Sequence, residues 1–236
     1  MNRKTALLEA IRYIAGLEQT FISGVSEIDR QATGTLEHWS AKDLIAHNAA
    51  WKEDMARRLA GATLPIVEDF DAANAEIFAS FQNKTWGEVT MYALVVQHNL
   101  ETAVERLEDE ELEGYKPLGW GDETPSWRSI AGTACLHPLV HLSENAIKRG
   151  DAEQAVRLHQ DALPVLQQID DSPAWQGSLV YNLACQYALA GDSRNAILQL
   201  GEALRLNPDL AAWSQQDSDL ASLRDEPAYQ DLYTTE

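Results

Sequence analysis

Two histidines that stand four residues apart, His137 and His141 in the segment HPLVH, are the clearest sign of chemistry in this chain. On an α-helix such residues project from one face, with about 5–6 Å between their Cβ atoms. Both imidazoles can then bind one metal ion, since histidine is a common zinc ligand. The pair therefore predicts a metal site, provided that the segment is helical.

The segment 125–149 carries the signals of a helix. Pro125, which follows a threonine, is typical of a helix start, and the two basic residues before Gly150 are typical of a helix end. Gly132 and Pro138 interrupt this pattern, because proline removes a backbone donor. We therefore expect a helix over 125–149 with a bend close to the two histidines.

A third histidine, His47, lies on a second predicted helix. Ser40 and Asp43 form a capping signature, and the helical pattern then continues to Gly61. His47 shares one face of this helix with large apolar residues. We therefore expect its imidazole to point into the core rather than into solvent.

Three inward-facing imidazoles from two helices, those of His47, His137 and His141, would leave an open coordination position on a zinc-like ion. An open position is typical of a catalytic site rather than a closed structural one. The alternative interpretation is that the HxxxH pair lies on the surface and that His47 is a core residue. The metal-site hypothesis requires all three side chains to meet in space.

Other side chains are candidates for roles beside this site. Glu144 shares the face of the histidine pair, where it would orient an imidazole, act as a catalytic acid or base, or remain a solvated glutamate. His98 is expected to be structural, with a fourth metal ligand as the alternative; His38 and His159 are assigned no role. Four aromatic residues would wall an apolar substrate pocket, with helix packing and loop anchoring as the alternative: Trp39, Trp51, Tyr115 and Trp120.

Hydrophobic periodicity before residue 150 predicts four long amphipathic helices, so the expected fold class is all-α. These helices cover residues 3–23, 40–61, 85–108 and 125–149. The connection between the second and third helices is long and holds a short helix over 70–81, which would let the flanking helices run parallel. The segment 109–124 is expected to be a loop, because it contains three glycines and a proline. Together these elements predict a four-helix bundle with one long crossover.

An internal repeat accounts for the rest of the chain. The segment 181–208 has the small and large residues of a tetratricopeptide repeat at their usual places. Its turn, Gly191–Asp192, repeats Gly150–Asp151 at a distance of 41 residues. We therefore expect a short array of helical hairpins after the bundle.

These patterns divide the chain into two domains. Residues 1–149 form the predicted bundle, and residues 150–236 form the tetratricopeptide-like repeats. The 125–149 helix is shared, because the turn at Gly150 makes it the first helix of the first repeat. Three apolar residues are expected to pack the closing segment back onto the repeats: Leu220, Leu223 and Tyr229.

Charge and composition argue against several classes of function. The formal net charge is -19 and no stripe of basic residues is present, so a nucleic-acid partner is not expected. No apolar run reaches the roughly 18 residues of a membrane span, and the first residues do not form a signal peptide. We therefore expect a cytoplasmic protein, in which Cys135 and Cys185 are buried, reduced thiols.

The pattern WSAKDLIAHNAAW, followed about ninety residues later by HPLVH, resembles the DinB-like superfamily of four-helix-bundle proteins. The segment PLGWGDETPSWRSIAG is similar to the ClbS/DfsB branch of that superfamily. The resemblance covers roughly residues 3–149 and maps the metal-binding histidines of the superfamily onto His47, His137 and His141. It implies a nickel or zinc site and, for some relatives, an S-transferase or isomerase that uses bacillithiol, mycothiol or glutathione.

Two hypotheses of different classes follow. The first is a divalent-metal-dependent thiol transferase or hydrolase that acts on a small electrophilic molecule in stress or detoxification, as the ClbS resemblance implies. The second is a non-enzymatic protein-interaction module, in which the repeats bind a protein partner and the bundle is a support. A homodimer is open as well, because bundles of this superfamily often pair, although the repeats would cover the pairing face.

Overall fold

The computed structural model describes residues 2–115, 118 and 124–234, and within these ranges the chain is helical and has no strand. The α-helices are α1 (Arg3–Gly24), α2 (Glu27–Arg30), α3 (Ala41–Leu59), α4 (Phe70–Phe81), α5 (Trp86–Glu105), α6 (Asp109–Glu113), α7 (Ser126–Ala131), α8 (His137–Lys148), α9 (Ala152–Gln167), α10 (Pro173–Leu189), α11 (Ser193–Leu206), α12 (Leu210–Ser214) and α13 (Pro227–Asp231). A π-helical turn, Gly132–Leu136, joins α7 to α8, and a 3-10 turn, Ser218–Leu223, precedes α13. The predicted all-α fold class is confirmed for these ranges. None of the described helices has both the length and the apolar character that a membrane crossing requires.

The chain divides into two compact units. The N-terminal unit runs from Leu7 to Pro138, and the C-terminal unit combines Leu139 and all later residues with the short segment before Leu7. The division therefore falls inside α1 and inside α8, not in a linker. The domain boundary that the sequence places at residue 149 stays a prediction.

Local sequence signals set the starts of the two long central helices in the N-terminal unit. Ser40 and Asp43 form a capping box at α3, in which each side chain bonds the backbone amide of the other residue. Thr85 and Glu88 form the same arrangement at α5. Both capping boxes satisfy amides that have no partner within the helix.

α3 and α5 pack against each other and run in the same direction. Near the start of α3, Lys42 donates to the carbonyl oxygens of Gln82 and Lys84, at 3.1 and 2.8 Å, just before α5 begins. Further along both helices, the Tyr92 hydroxyl donates to Glu53 at 2.9 Å. Residue numbers therefore rise together along the two helices, as the long crossover predicts. The short helix predicted inside that crossover is α4.

A buried ion pair connects three helices of this unit. The ammonium group of Lys52 on α3 contacts the carboxylate of Glu18 on α1 and donates to Gln97 on α5 at 3.1 Å. Asn48, one turn earlier on α3, donates to the other oxygen of Glu18 at 3.2 Å. The side chain of Lys52 is only 4% exposed. Removing one partner of such a pair costs about 3–5 kcal/mol, so the pair restricts how far α3 can rotate or slide.

The sequence predicts a loop throughout the segment 109–124, and the structure contradicts this prediction for part of it. Its first five residues form α6. Acidic side chains stabilise the first turn of a helix, and the first glycine of the segment, Gly114, comes only after this turn. Part of the segment, including Trp120, lies outside the described residues.

Two turns of the C-terminal unit have the same construction. Gly150 and Gly191 have φ angles of 81° and 80°, a conformation that glycine adopts far more easily than other residues. The amides of Asp151 and Asp192, which follow them, each donate at 2.9 Å to a carbonyl oxygen five residues earlier. The side chains of both aspartates then cap the next helix. The turn between α8 and α9 is thus repeated between α10 and α11.

The helices of the C-terminal unit meet through small residues. Ser143 on α8 and Ala155 on α9 are completely buried, as are Ala184 and Ala196, which follow them by 41 residues. α10 packs against α9, α11 and the 3-10 turn. The predicted packing of the closing segment is confirmed by the burial of its three apolar residues, Leu220, Leu223 and Tyr229.

His159 on α9 occupies a position where the second hairpin has an apolar residue. Leu200 follows it by 41 residues and is completely buried. His159 is 5% exposed, and its Nε2 atom has no hydrogen-bond partner among the described residues. Burial lowers the pKa of this imidazole from 6.5 to about 4.

We predict that His159 destabilises the protein in acid. Below pH 6.5 the unfolded chain binds a proton at this side chain, whereas the folded chain does so only near pH 4. The contribution of the neutral imidazole is therefore complete above pH 6.5 and is lost as the pH falls to 4, by roughly 3 kcal/mol. Urea unfolding at several pH values should show that His159→Leu reduces this loss.

The control for this experiment is His38→Leu, because His38 is exposed. This variant should keep the pH dependence of the parent protein. If His159→Leu loses stability with falling pH as steeply as the parent, the buried neutral imidazole is not the cause.

Candidate metal centre

One helical segment carries two of the three histidines. The segment begins at Ser126, passes through the π turn, and continues as α8 from His137. Pro138 lacks the amide that would bond four residues back, so regular helical bonding is interrupted at this point. The irregularity that the structure shows before the histidines is a π turn, which is frequent at functional sites. The predicted bend stays a prediction.

The structure brings together the three histidines that the sequence singled out. The Nε2 atoms of His47 on α3 and His137 on α8 are 2.9 Å apart. His141 follows one turn later on α8, and the ligand atoms of the three residues lie within 4.8 Å of one another. His47 is buried and the other two are half-buried. This group could hold a metal ion, and its role as a ligand set stays a prediction.

Three imidazole nitrogens are suitable ligands for a divalent ion such as zinc. An ion with tetrahedral geometry and bonds of about 2.0–2.1 Å holds two nitrogens about 3.3 Å apart. The two Nε2 atoms of His47 and His137 need only a small adjustment from 2.9 Å to reach that spacing. Neutral imidazole is a ligand for zinc, copper, iron and nickel, so the donor type restricts the choice of metal without fixing it.

Glu144 contacts the third histidine. The Nδ1 atom of His141 lies 3.1 Å from Oε2 of Glu144, and this hydrogen bond lowers the pKa of the Glu144 carboxyl. An imidazole that donates its Nδ1 proton to a carboxylate keeps the lone pair of Nε2 for a metal. The geometry therefore places Glu144 as an orienting partner of His141. A role as a catalytic acid or base stays a prediction.

Aromatic rings lie against His47. The ring centroids of Trp39 and Trp51 are 4.3 and 6.4 Å from that of His47. The indole N–H of Trp51 donates to Asn74 on α4 at 3.1 Å, and its ring lies 5.8 Å from that of Phe70. The crossover helix thus fixes one of the two indoles beside the histidine group. These contacts supply an apolar wall beside His47.

Two of the remaining candidates, Tyr115 and His98, lie in the described part of the chain, and neither joins this wall or the histidine group. Tyr115 is 68% exposed and forms an isolated bridge with Pro125. Trp120 lies outside the described residues. His98 is exposed on α5 and does not belong to the histidine group.

The cysteines are buried and form no disulfide, as predicted. Burial raises the pKa of the Cys135 thiol to about 12. Cys185 forms a second group of potential ligand atoms with Asp217 and Asp219, but burial raises its thiol pKa as well. A protonated thiol is a poor metal ligand, so among the described residues the histidines are the stronger candidate site.

Comparison with protein-family models, with curated proteins and with solved structures finds no match for this chain. The likeness to DinB-like proteins therefore depends on the sequence motifs quoted above. The grouping of the three histidines is a separate observation, because it comes from the packing of this chain and not from any relative.

We predict that Glu144→Ala weakens zinc binding by about 10- to 100-fold, because the ring of His141 loses the carboxylate that orients it. The affinity can be measured by competition with a chromogenic chelator at neutral pH. The matched control is Glu153→Ala, which removes an exposed glutamate that pairs with Arg157. An unchanged affinity in Glu144→Ala would show that this contact does not position the ligand.

Proposed function

We propose that this protein is a divalent-metal-dependent enzyme of the DinB-like kind, which transfers a low-molecular-weight thiol to a small electrophilic molecule or hydrolyses that molecule. The observation that carries the proposal is the convergence of His47, His137 and His141, whose ligand atoms lie within 4.8 Å of one another. Three imidazoles without a fourth protein ligand are typical of a catalytic metal site. A role in detoxification or stress protection in the cytoplasm is part of this proposal.

The proposed architecture is a DinB-like four-helix bundle followed by tetratricopeptide-like hairpins. The parallel direction of α3 and α5 across a long crossover supports the bundle. The contact between His47 and His137 supports a fourth helical segment beside α3. The repeated glycine–aspartate turns support the hairpins. In this arrangement the repeats have a structural role, because two hairpins offer little surface to a partner.

The three histidines would each bind zinc or nickel through one ring nitrogen. A divalent ion bound in this way lowers the pKa of a coordinated water or thiol, and so supplies a nucleophile at neutral pH. The chain itself holds the ligands in place. α3 presents His47, α8 presents the other two histidines, and Glu144 restrains the ring of His141.

The surroundings of His47 favour an apolar substrate. Trp39 and Trp51 lie beside this imidazole, and Asn74 accepts a hydrogen bond from the indole of Trp51. An apolar wall beside a polar centre excludes water and binds the uncharged body of a small molecule. We therefore expect the substrate to be an uncharged, aromatic or aliphatic electrophile.

We predict that zinc- or nickel-loaded protein accelerates the reaction of glutathione with 1-chloro-2,4-dinitrobenzene, followed by the absorbance of the adduct. Ester hydrolysis without thiol, with 4-nitrophenyl acetate, tests the hydrolase alternative. In the triple variant His47→Ala, His137→Ala, His141→Ala both rates should fall to the background, because the group that activates the nucleophile is lost.

His38→Ala is the matched control, since this exposed histidine lies outside the histidine group. It should keep the rate of the parent protein. If the parent and the triple variant react with each probe at the same rate, these probe reactions do not depend on the histidine group and the enzymatic proposal loses its support.

A further inference from the structure

A groove between the C-terminal halves of α3 and α5 is lined by residues that do not belong to the histidine group. Its volume is about 480 Å³, within the range of small-molecule sites. Arg57, Arg106 and His98 line it, and Glu53 is the one carboxylate among the lining residues. We call it the arginine groove.

The charge of this groove is opposite to that of the whole chain. The chain has 37 acidic and 18 basic residues, so a site with two arginines and one glutamate departs from the composition. Glu53 already accepts a hydrogen bond from Tyr92 at 2.9 Å. Among the described residues, no carboxylate forms an ion pair with Arg57 or Arg106. Two guanidinium groups thus line the groove outside any ion pair that the described residues form, and Glu53 can offset at most one of their two charges.

Arg57 and Arg58 are neighbours on α3, but their side chains differ in their contacts. Arg58 pairs with Asp54 at 2.6 Å and donates to the carbonyl oxygens of Leu64 and Pro65 at 3.0 and 2.5 Å. Its side chain is 5% exposed, so it is a structural residue. Arg57, the residue before it, is exposed and makes none of these contacts. Its guanidinium is therefore available to a ligand.

The rest of the lining combines an apolar floor with side-chain donors. Ala56 and Val96 are buried, and Ala103 is half-buried, so small apolar residues form the floor. Asn99 and Thr102 also line the groove, and their side chains make no hydrogen bond within the described part of the chain. The amide and the hydroxyl can both donate to an oxygen atom of a ligand.

We infer that the arginine groove binds a small amphipathic oxyanion. Its carboxylate or phosphate head would be held by Arg57 and Arg106, because the planar guanidinium matches both groups in a bidentate manner. Its short apolar body would lie on the alanine and valine floor. Arg57 follows His47 by ten residues on α3, about 15 Å along the helix, so this site is separate from the histidine group.

The test is titration calorimetry of the full chain with phenyl phosphate, benzoate and, as the neutral probe, phenol. We expect saturable binding of at least one of the two anions and none of phenol, with an affinity that falls as salt is added. The double variant Arg57→Gln, Arg106→Gln should weaken binding at least about tenfold, because it removes charge-assisted hydrogen bonds. Tighter binding of phenyl phosphate than of benzoate would identify a phosphate head, and the reverse a carboxylate head.

The matched control is Arg157→Gln, Arg205→Gln, which makes the same change in net charge at two exposed arginines that pair with glutamates. It should bind the anion as the parent does, and so should His141→Ala. The inference is overturned if neither anion binds at millimolar concentration. It is also overturned if the groove variant and the control variant bind the anion with the same affinity. It is also overturned if His141→Ala abolishes binding, because the anion would then depend on the histidine group.

Discussion

The buried ion pair between Lys52 and Glu18 is the contact on which the geometry of the N-terminal unit depends. It joins α3 to α1, and the bond to Gln97 extends the connection to α5. Because an isolated charge in a core costs about 3–5 kcal/mol, α3 cannot rotate or slide without a large loss of stability. His47 lies five residues before Lys52 on the same helix, so a restraint on the rotation of α3 also restrains the position of His47.

The other half of the histidine group depends on the π turn before α8. A π turn adds a residue to the helix and so changes the face that the following residues present. His137 comes immediately after it and His141 one turn later, so the extra residue helps to set which face of α8 the two histidines occupy. The candidate metal centre thus lies next to a buried ion pair on α3 and a π turn before α8, and π turns are frequent at functional sites.

Local signals in the sequence predicted much of this arrangement. The capping pairs at Ser40 and Thr85 fix the starts of α3 and α5, and apolar periodicity indicated that His47 points inward. The ion pair of Lys52 with Glu18 was not predicted, because the two residues are 34 positions apart and lysine and glutamate usually lie at the surface in solvent. The arginine groove was missed for the same reason, since it forms only where two distant helices meet.

The most direct test of the account is elemental analysis of the purified full chain by plasma mass spectrometry, beside His137→Ala and His38→Ala. We predict about one zinc or nickel ion per chain in the parent and in His38→Ala, and none in His137→Ala, because a ligand is lost only there. Absence of metal after incubation with both ions, or equal content in the parent and His137→Ala, would contradict it. The repeats as a protein-interaction module would then be the better hypothesis.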